Sequence, residues 1–77
     1  MPRKKLTISD KRRGFRFAQR LRKERSRAGL TQVELATKAG VSVDTVRALE
    51  RKRISAPGLF VAADLVAALG GTLEEWL

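Results

Sequence analysis

An all-α compact bundle of five short helices, led by a flexible basic N-terminal arm, is the fold class that the 77-residue sequence predicts. Three observations predict it. Apolar residues recur at three- and four-residue spacing and form no period-two segments, which is the helical and not the strand pattern. Glycines stand at Gly29, Gly40 and Gly70-Gly71, each closing a run of helical spacing. Thr31, Ser42 and Thr72, all good helix caps, follow those breaks within two residues.

Each element has its own signal. Residues 1–9 carry Pro2 and no helical period, and read as a flexible arm. From Asp10 the chain can turn helical, capped by Ser9 or Asp10, although Gly14 weakens the first turns. From Phe15 the pattern firms: Phe17, Leu21 and Ala28 share a stripe, while Arg20, Arg22, Lys23 and Arg27 point elsewhere. Gly29 stops this helix. Thr31-Gln32-Val33-Glu34 matches a capping box, so a second helix is expected over 32–39 with apolar face Val33, Leu35, Ala36 and Ala39. Gly40 ends it. Ser42 caps a third helix over about 43–51, with Asp44 near the positive terminus and Val43, Val46 and Leu49 on one face. Residues 52–56 form a linker, Pro57 suits the first turn of a fourth helix reaching about Leu69, and Thr72 caps a last turn over 73–77. Residues 1–14 are thus the arm and the start of helix 1, and residues 15–77 one domain.

Composition removes whole classes of function. The chain has no cysteine, histidine or tyrosine, so it holds no disulfide, no Cys–His or Ser–His nucleophile and no common zinc site. An enzyme is not expected, nor a cofactor or metal. No apolar run approaches the roughly 20 residues of a membrane span, and no apolar segment marks a signal peptide. A cysteine-free chain suits the reducing cytoplasm. A domain this small buries only about 60% of its unfolded surface, so its apolar core, with or without a partner chain, must supply the stability.

Charge is distributed very unevenly. The net charge is +9, and residues 1–29 hold twelve Lys/Arg against Asp10 and Glu24. Residues 30–77 hold five Lys/Arg against six acids. A basic segment so concentrated attracts polyanions, or serves only as a solubilising tail.

The segment 31–51 narrows the partner. Ala36 is small where the second helix must approach the third, and Gly40 supplies the positive φ of a tight turn. Val41, Val46 and Leu49 can bury a seam between steeply crossed helices. Ser42, Asp44, Thr45, Arg47 and Ala48 are then free to face outward, the geometry that offers a helix to the DNA major groove. Thr31-Gln32-x-x-Leu35-Ala36-x-x-Ala39-Gly40-Val41-Ser42-x-x-Thr45-Val46-x-x-Leu49-Glu50 resembles the helix-turn-helix core of phage-repressor, Cro/Xre-type regulators. Leu21-Arg22-x-x-Arg25 resembles the first helix of that family, and residues 57–73 its fourth and fifth helices. The likeness runs from Leu21 to the end. One departure is Lys52, where the family usually has glycine, which bears on the path of residues 51–53 past the DNA.

The resemblance implies roles for individual residues. Thr31 and Gln32, at the start of the second helix, hold a phosphate, and Thr31 also caps. Ser42, Val43, Asp44, Arg47 and Ala48 read base edges. Arg47 either grips guanine O6 and N7 with two bonds or holds a phosphate. Asp44 accepts from a cytosine amine or serves the helix terminus, and Val43 touches a thymine methyl or packs. Thr45, Lys38, Arg51, Lys52 and Arg53 contact the phosphate backbone; for the run 51–53 a solvated charge cluster is the alternative. Arg25 and Glu50 match a structural ion pair of the family. The basic arm residues Arg3, Lys4, Lys5, Lys11, Arg12 and Arg13 have no counterpart there, and either wrap the duplex or attract phosphate without sequence preference. Leu59, Ala62, Leu65, Val66 and Leu69 can serve the core, whereas Phe60, Val61 and Ala67 seek other cover. A homodimer interface at Phe60, Val61, Trp76 and Leu77 would provide it.

The expected function is therefore a sequence-specific, double-stranded-DNA-binding transcriptional regulator of prokaryotic or phage type. It is expected to be a repressor acting as a homodimer on a two-fold operator, cytoplasmic and nucleoid-associated. No sensor domain is visible, so no small-molecule effector is expected. Two other readings stand beside it: an antitoxin that grips a toxin through the apolar C-terminal half, and a plasmid or phage accessory protein for replication, partition or recombination.

Overall fold

A computed structural model describes residues 8–51 and 58–76 of the chain, with side chains from Lys11 onward. The described residues form five helices and no strand: α1 (Ile8–Arg27), α2 (Gln32–Ala39), α3 (Val43–Glu50), α4 (Leu59–Ala68) and α5 (Leu73–Trp76). Arg3, Lys4, Lys5, the linker with Lys52 and Arg53, Pro57 and Leu77 lie outside the described residues.

Local sequence places the helix ends. The α2 capping box is complete: the Glu34 N–H donates to Thr31 Oγ1 at 3.1 Å, and the Thr31 N–H donates to Glu34 Oε1 at 3.0 Å. Ser42 caps α3 by accepting the Thr45 N–H at 3.1 Å. At the end of α2, Gly40 sits at φ 72°, which a β-carbon would penalise. There the Gly40 N–H donates to the Thr37 carbonyl and the Val41 N–H to the Ala36 carbonyl. Those two bonds close the helix and reverse the chain into α3. The same two-bond closure recurs after α1 (Gly29 to Ser26, Leu30 to Arg25) and after α4 (Gly70 to Ala67, Gly71 to Val66).

The core is one cluster assembled from four helices. Phe17 and Leu21 come from α1, Leu35 and Ala36 from α2, Val46 and Leu49 from α3, and Ala62, Leu65, Val66 and Ala68 from α4. Leu21, Leu35, Val46, Leu49, Leu65 and Val66 have no exposure at all. Val41, Val43 and Val61 pack against this cluster from its margin. The short α5 closes one side, its Trp76 ring lying 5.5 Å from that of Phe17.

Several expectations need correction. Helix α1 begins at Ile8, so the expected caps Ser9 and Asp10 lie inside it, and Lys11, Arg12 and Arg13 belong to a helix instead of an arm. A single Gly14 costs a helix only about 1 kcal/mol, too little to break one whose stripe is anchored by Phe17, Ala18 and Leu21. Ala28 is exposed, because α1 has already ended at Arg27. Val33 is 54% exposed: it lies more than half a turn from Leu35, and a helix buried on one side cannot cover both. Leu59 is 66% exposed, since it occupies the first turn of α4 at the edge of its buried stripe. Helix α3 stops at Glu50, with Arg51 following as its C-cap. Thr72 does not cap through its oxygen; its hydroxyl and its N–H both donate to Glu75 Oε1, at 2.8 and 3.1 Å.

The contrast between Leu49 and Val33 gives a direct test of this core. Leu49→Ala removes a fully buried side chain and is expected to destabilise the domain by about 2–5 kcal/mol in urea unfolding. Val33→Ala should change the same measurement by no more than about 0.5 kcal/mol.

Candidate nucleic-acid interface

The site is built on helices α2 and α3 and the turn Gly40-Val41-Ser42 between them. Ala36 is 3% exposed, and its small side chain lets the two helices approach. Val46 and Leu49 fix the inner face of α3, which leaves Asp44, Arg47, Ala48 and Arg51 to line one shallow depression on the outer side. Asp44 and Arg47 meet there as an i,i+3 pair at 3.6 Å, with side chains 90% and 46% exposed. So open a pair adds little stability, yet it limits where the guanidinium can point.

A second set of contacts holds this frame from behind. Arg25 of α1 donates through Nε to Glu50 Oε2 at 2.6 Å and through Nη2 to Glu50 Oε1 at 2.9 Å. Its Nη1 donates to the Leu30 carbonyl at 2.8 Å, and Gln32 Nε2 donates to Glu50 Oε1 at 3.1 Å. The two charged side chains keep only 15% and 4% of their exposure. Hydrogen bonding to Glu50 raises the already high pKa of Arg25 against the opposing effect of burial, so the guanidinium stays charged. This is the two-pronged geometry in which arginine binds a carboxylate best. Removing one partner would strand the other charge, at a cost of about 3 kcal/mol.

The remaining candidate residues fall into distinct places. Thr31 is exposed at the start of α2, with its oxygen engaged by the capping box. The Gln32 side chain turns back to Glu50, so a phosphate role for this residue falls to its backbone N–H, which lies in the first turn of α2. Ser42 and Thr45 share a hydroxyl hydrogen bond of 2.7 Å. Val43 packs against the core margin, which favours packing over a base contact. Lys38 is exposed on α2, and Arg51 is exposed at the C-cap of α3. Lys11, Arg12 and Arg13 are exposed on α1. Trp76, expected at an interface, is partly covered within the chain by Phe17 and by Arg20, whose guanidinium lies 4.9 Å from its ring centroid. Val61 is likewise half-buried, whereas Phe60 is 81% exposed.

Two features escaped the sequence reading. One is the Gln32–Glu50 bond, which links the start of α2 to the end of α3 and has no spacing signal. The other is a groove along α1 lined by Arg16, Gln19, Arg20, Lys23 and Glu24. Its i, i+3, i+4, i+7 spacing is legible in the sequence, on the side of α1 away from the apolar stripe.

The capping box carries a pH dependence with a definite sign. Hydrogen bonds from the Thr31 N–H and hydroxyl side hold the Glu34 carboxyl below its ordinary pKa. Its contribution to stability is therefore present above the unfolded-state pKa and lost as pH falls through the lower folded value. An NMR titration should find Glu34 titrating below an ordinary glutamate, and Thr31→Val should move its midpoint upward.

The helix-turn-helix family model matches residues 21–76, which takes in the end of α1, the α2–turn–α3 unit, α4 and α5. An uncharacterized HTH-type transcriptional regulator of Methanothermobacter thermautotrophicus is 46% identical over 50 residues, 65% of this chain and 71% of the relative. No solved structure matches the chain significantly. The match spans most of the described fold and includes the glycine turn, both helix caps and the outward row of α3. The chain belongs to the Cro/Xre-type helix-turn-helix family of DNA-binding proteins.

Proposed function

We propose that the protein is a transcriptional repressor that binds a specific double-stranded operator with α3 in the major groove. The observation that carries this reading is the outward row Asp44, Arg47, Ala48 and Arg51 on a helix backed by the Arg25–Glu50 pair. Base selection then rests on Ser42, Asp44, Arg47 and Ala48, with Arg47 the strongest reader because guanidinium matches guanine O6 and N7. Asp44 holds Arg47 near this position before DNA arrives. Phosphates are held by Thr31, the Gln32 N–H, Lys38, Thr45, Arg51, Lys52 and Arg53, with Arg3, Lys4 and Lys5 adding non-specific attraction. Repression follows from occupancy alone: a duplex held in this way is closed to other proteins.

Two copies on a two-fold operator complete the reading. Leu59 and Phe60 are 66% and 81% exposed at the start of α4, adjacent large apolar side chains that a second copy can cover. The same pair also supports an antitoxin-type reading, in which the cover is another protein. Phe60→Glu separates them: sedimentation of the isolated protein should shift from dimer to monomer if copies pair there. A wild-type monomer at high concentration would favour the heterologous partner.

Selection of binding sites from random duplex DNA tests the specific reading. Wild type should enrich a short palindrome, and Arg47→Ala should weaken binding by about 1–3 kcal/mol and relax one position in each half-site. Binding that enriches no sequence and collapses with salt would instead indicate an accessory protein that shapes DNA.

A further inference from the structure

The helix-turn-helix unit itself is almost neutral. Helices α2 and α3 together carry Lys38 and Arg47 against Glu34, Asp44 and Glu50. Helix α1 carries most of the positive charge among the described residues, and it carries it on one side. Taking Arg25 as the direction of α3, Arg16 and Lys23 lie about half a turn round the α1 axis. Arg12, Arg13, Arg20 and Arg27 fall on the same outer side, and the acid bordering it is Glu24, 3.5 Å from Arg27. From Arg12 to Arg27 this face is about 22 Å long.

Such an arrangement acts against the helix that bears it. Arg12–Arg16, Arg16–Arg20 and Lys23–Arg27 are like-charge pairs at i,i+4, each of which destabilises an isolated helix. A surface serving only solubility mixes signs. A duplex presents one negative charge per about 1.7 Å of axis, so it relieves this repulsion along the whole face. Arg20 is also held in place, by a 3.0 Å bond to the Glu75 carbonyl and by the Trp76 ring. The depression on this face and the one on α3 share no residue.

We infer that the outer face of α1 is a second phosphate-binding surface, which takes a second DNA duplex while α3 holds the first. The inference rests on the DNA-binding reading given above. Contacts there are to the backbone alone, so capture of the second duplex is independent of its sequence and steeply salt-dependent. A regulator built this way bridges two segments of DNA.

The test uses the full chain, an immobilised duplex and a labelled duplex of unrelated sequence. Arg16→Ala/Lys23→Ala/Arg27→Ala removes three exposed cations outside the buried stripe. The triple variant should bind the immobilised duplex within about twofold of wild type and capture about tenfold less labelled duplex, with a capture salt slope lower by about three. Trp76, the single tryptophan, reports independently: labelled duplex added to saturated wild type should change its emission, and the variant should stay silent. Undiminished capture by the variant would overturn the inference, because bridging would then run through paired recognition helices. Equal loss at both duplexes would also overturn it, by assigning the α1 face to the first duplex. A wild type that fails to bind the immobilised duplex sinks the DNA-binding reading itself, and is seen separately in the first step.

Discussion

The Arg25 guanidinium joins three elements at once. Through Glu50 it reaches the end of α3, through the Leu30 carbonyl it holds the turn after α1, and the Gln32 amide brings the start of α2 to the same carboxylate. The orientation of α3 therefore follows from a charged network that is nearly out of water. Apolar packing by Val46 and Leu49 settles which face of α3 is buried, but dispersion is non-directional and would tolerate a helix that slid or rotated slightly. The two-pronged bond does not, because its geometry fixes both distance and angle. The base reading proposed for α3 needs that restraint, since side chains a little out of place lose their bonds to base edges.

Apolar packing and surface charge are separated along the chain. The core draws one or two large apolar residues from each of α1 to α4, and the helix ends are satisfied by caps and by repeated glycine closures. A domain of this size, with no disulfide to rely on, gains from every satisfied terminus. The charges stand outside this arrangement. Exposed cations crowd α1, whereas the α2–α3 surface carries a near balance of signs.

Much of the fold was legible because its signals are local. Thr31 with Glu34, Ser42 before Val43, and Gly29, Gly40 and Gly70 each act within about five residues, where bond geometry leaves few choices. The corrections fall where several residues compete. Gly14 does not delay α1, since the buried stripe further along outweighs its propensity. Val33 and Leu59 are apolar but exposed, because pattern alone does not say where a core ends. In the site, the outward row of α3 follows from periodicity, whereas the bond from the Gln32 side chain to Glu50 has no local signal.

By itself, the sequence determined the number and order of the helices, most of their ends, the glycine turn at Gly40 and the outward residues of α3. All of these depend on backbone sterics, capping and the 3.6-residue period, which act over one or two turns. Only the tertiary structure decided that Trp76 lies on Phe17 and Arg20, and that Glu50 gathers Arg25 and Gln32. Those outcomes join residues up to 59 positions apart, such as Phe17 and Trp76. Their partners are chosen by which surfaces the packed helices leave side by side, and no local pattern encodes that choice.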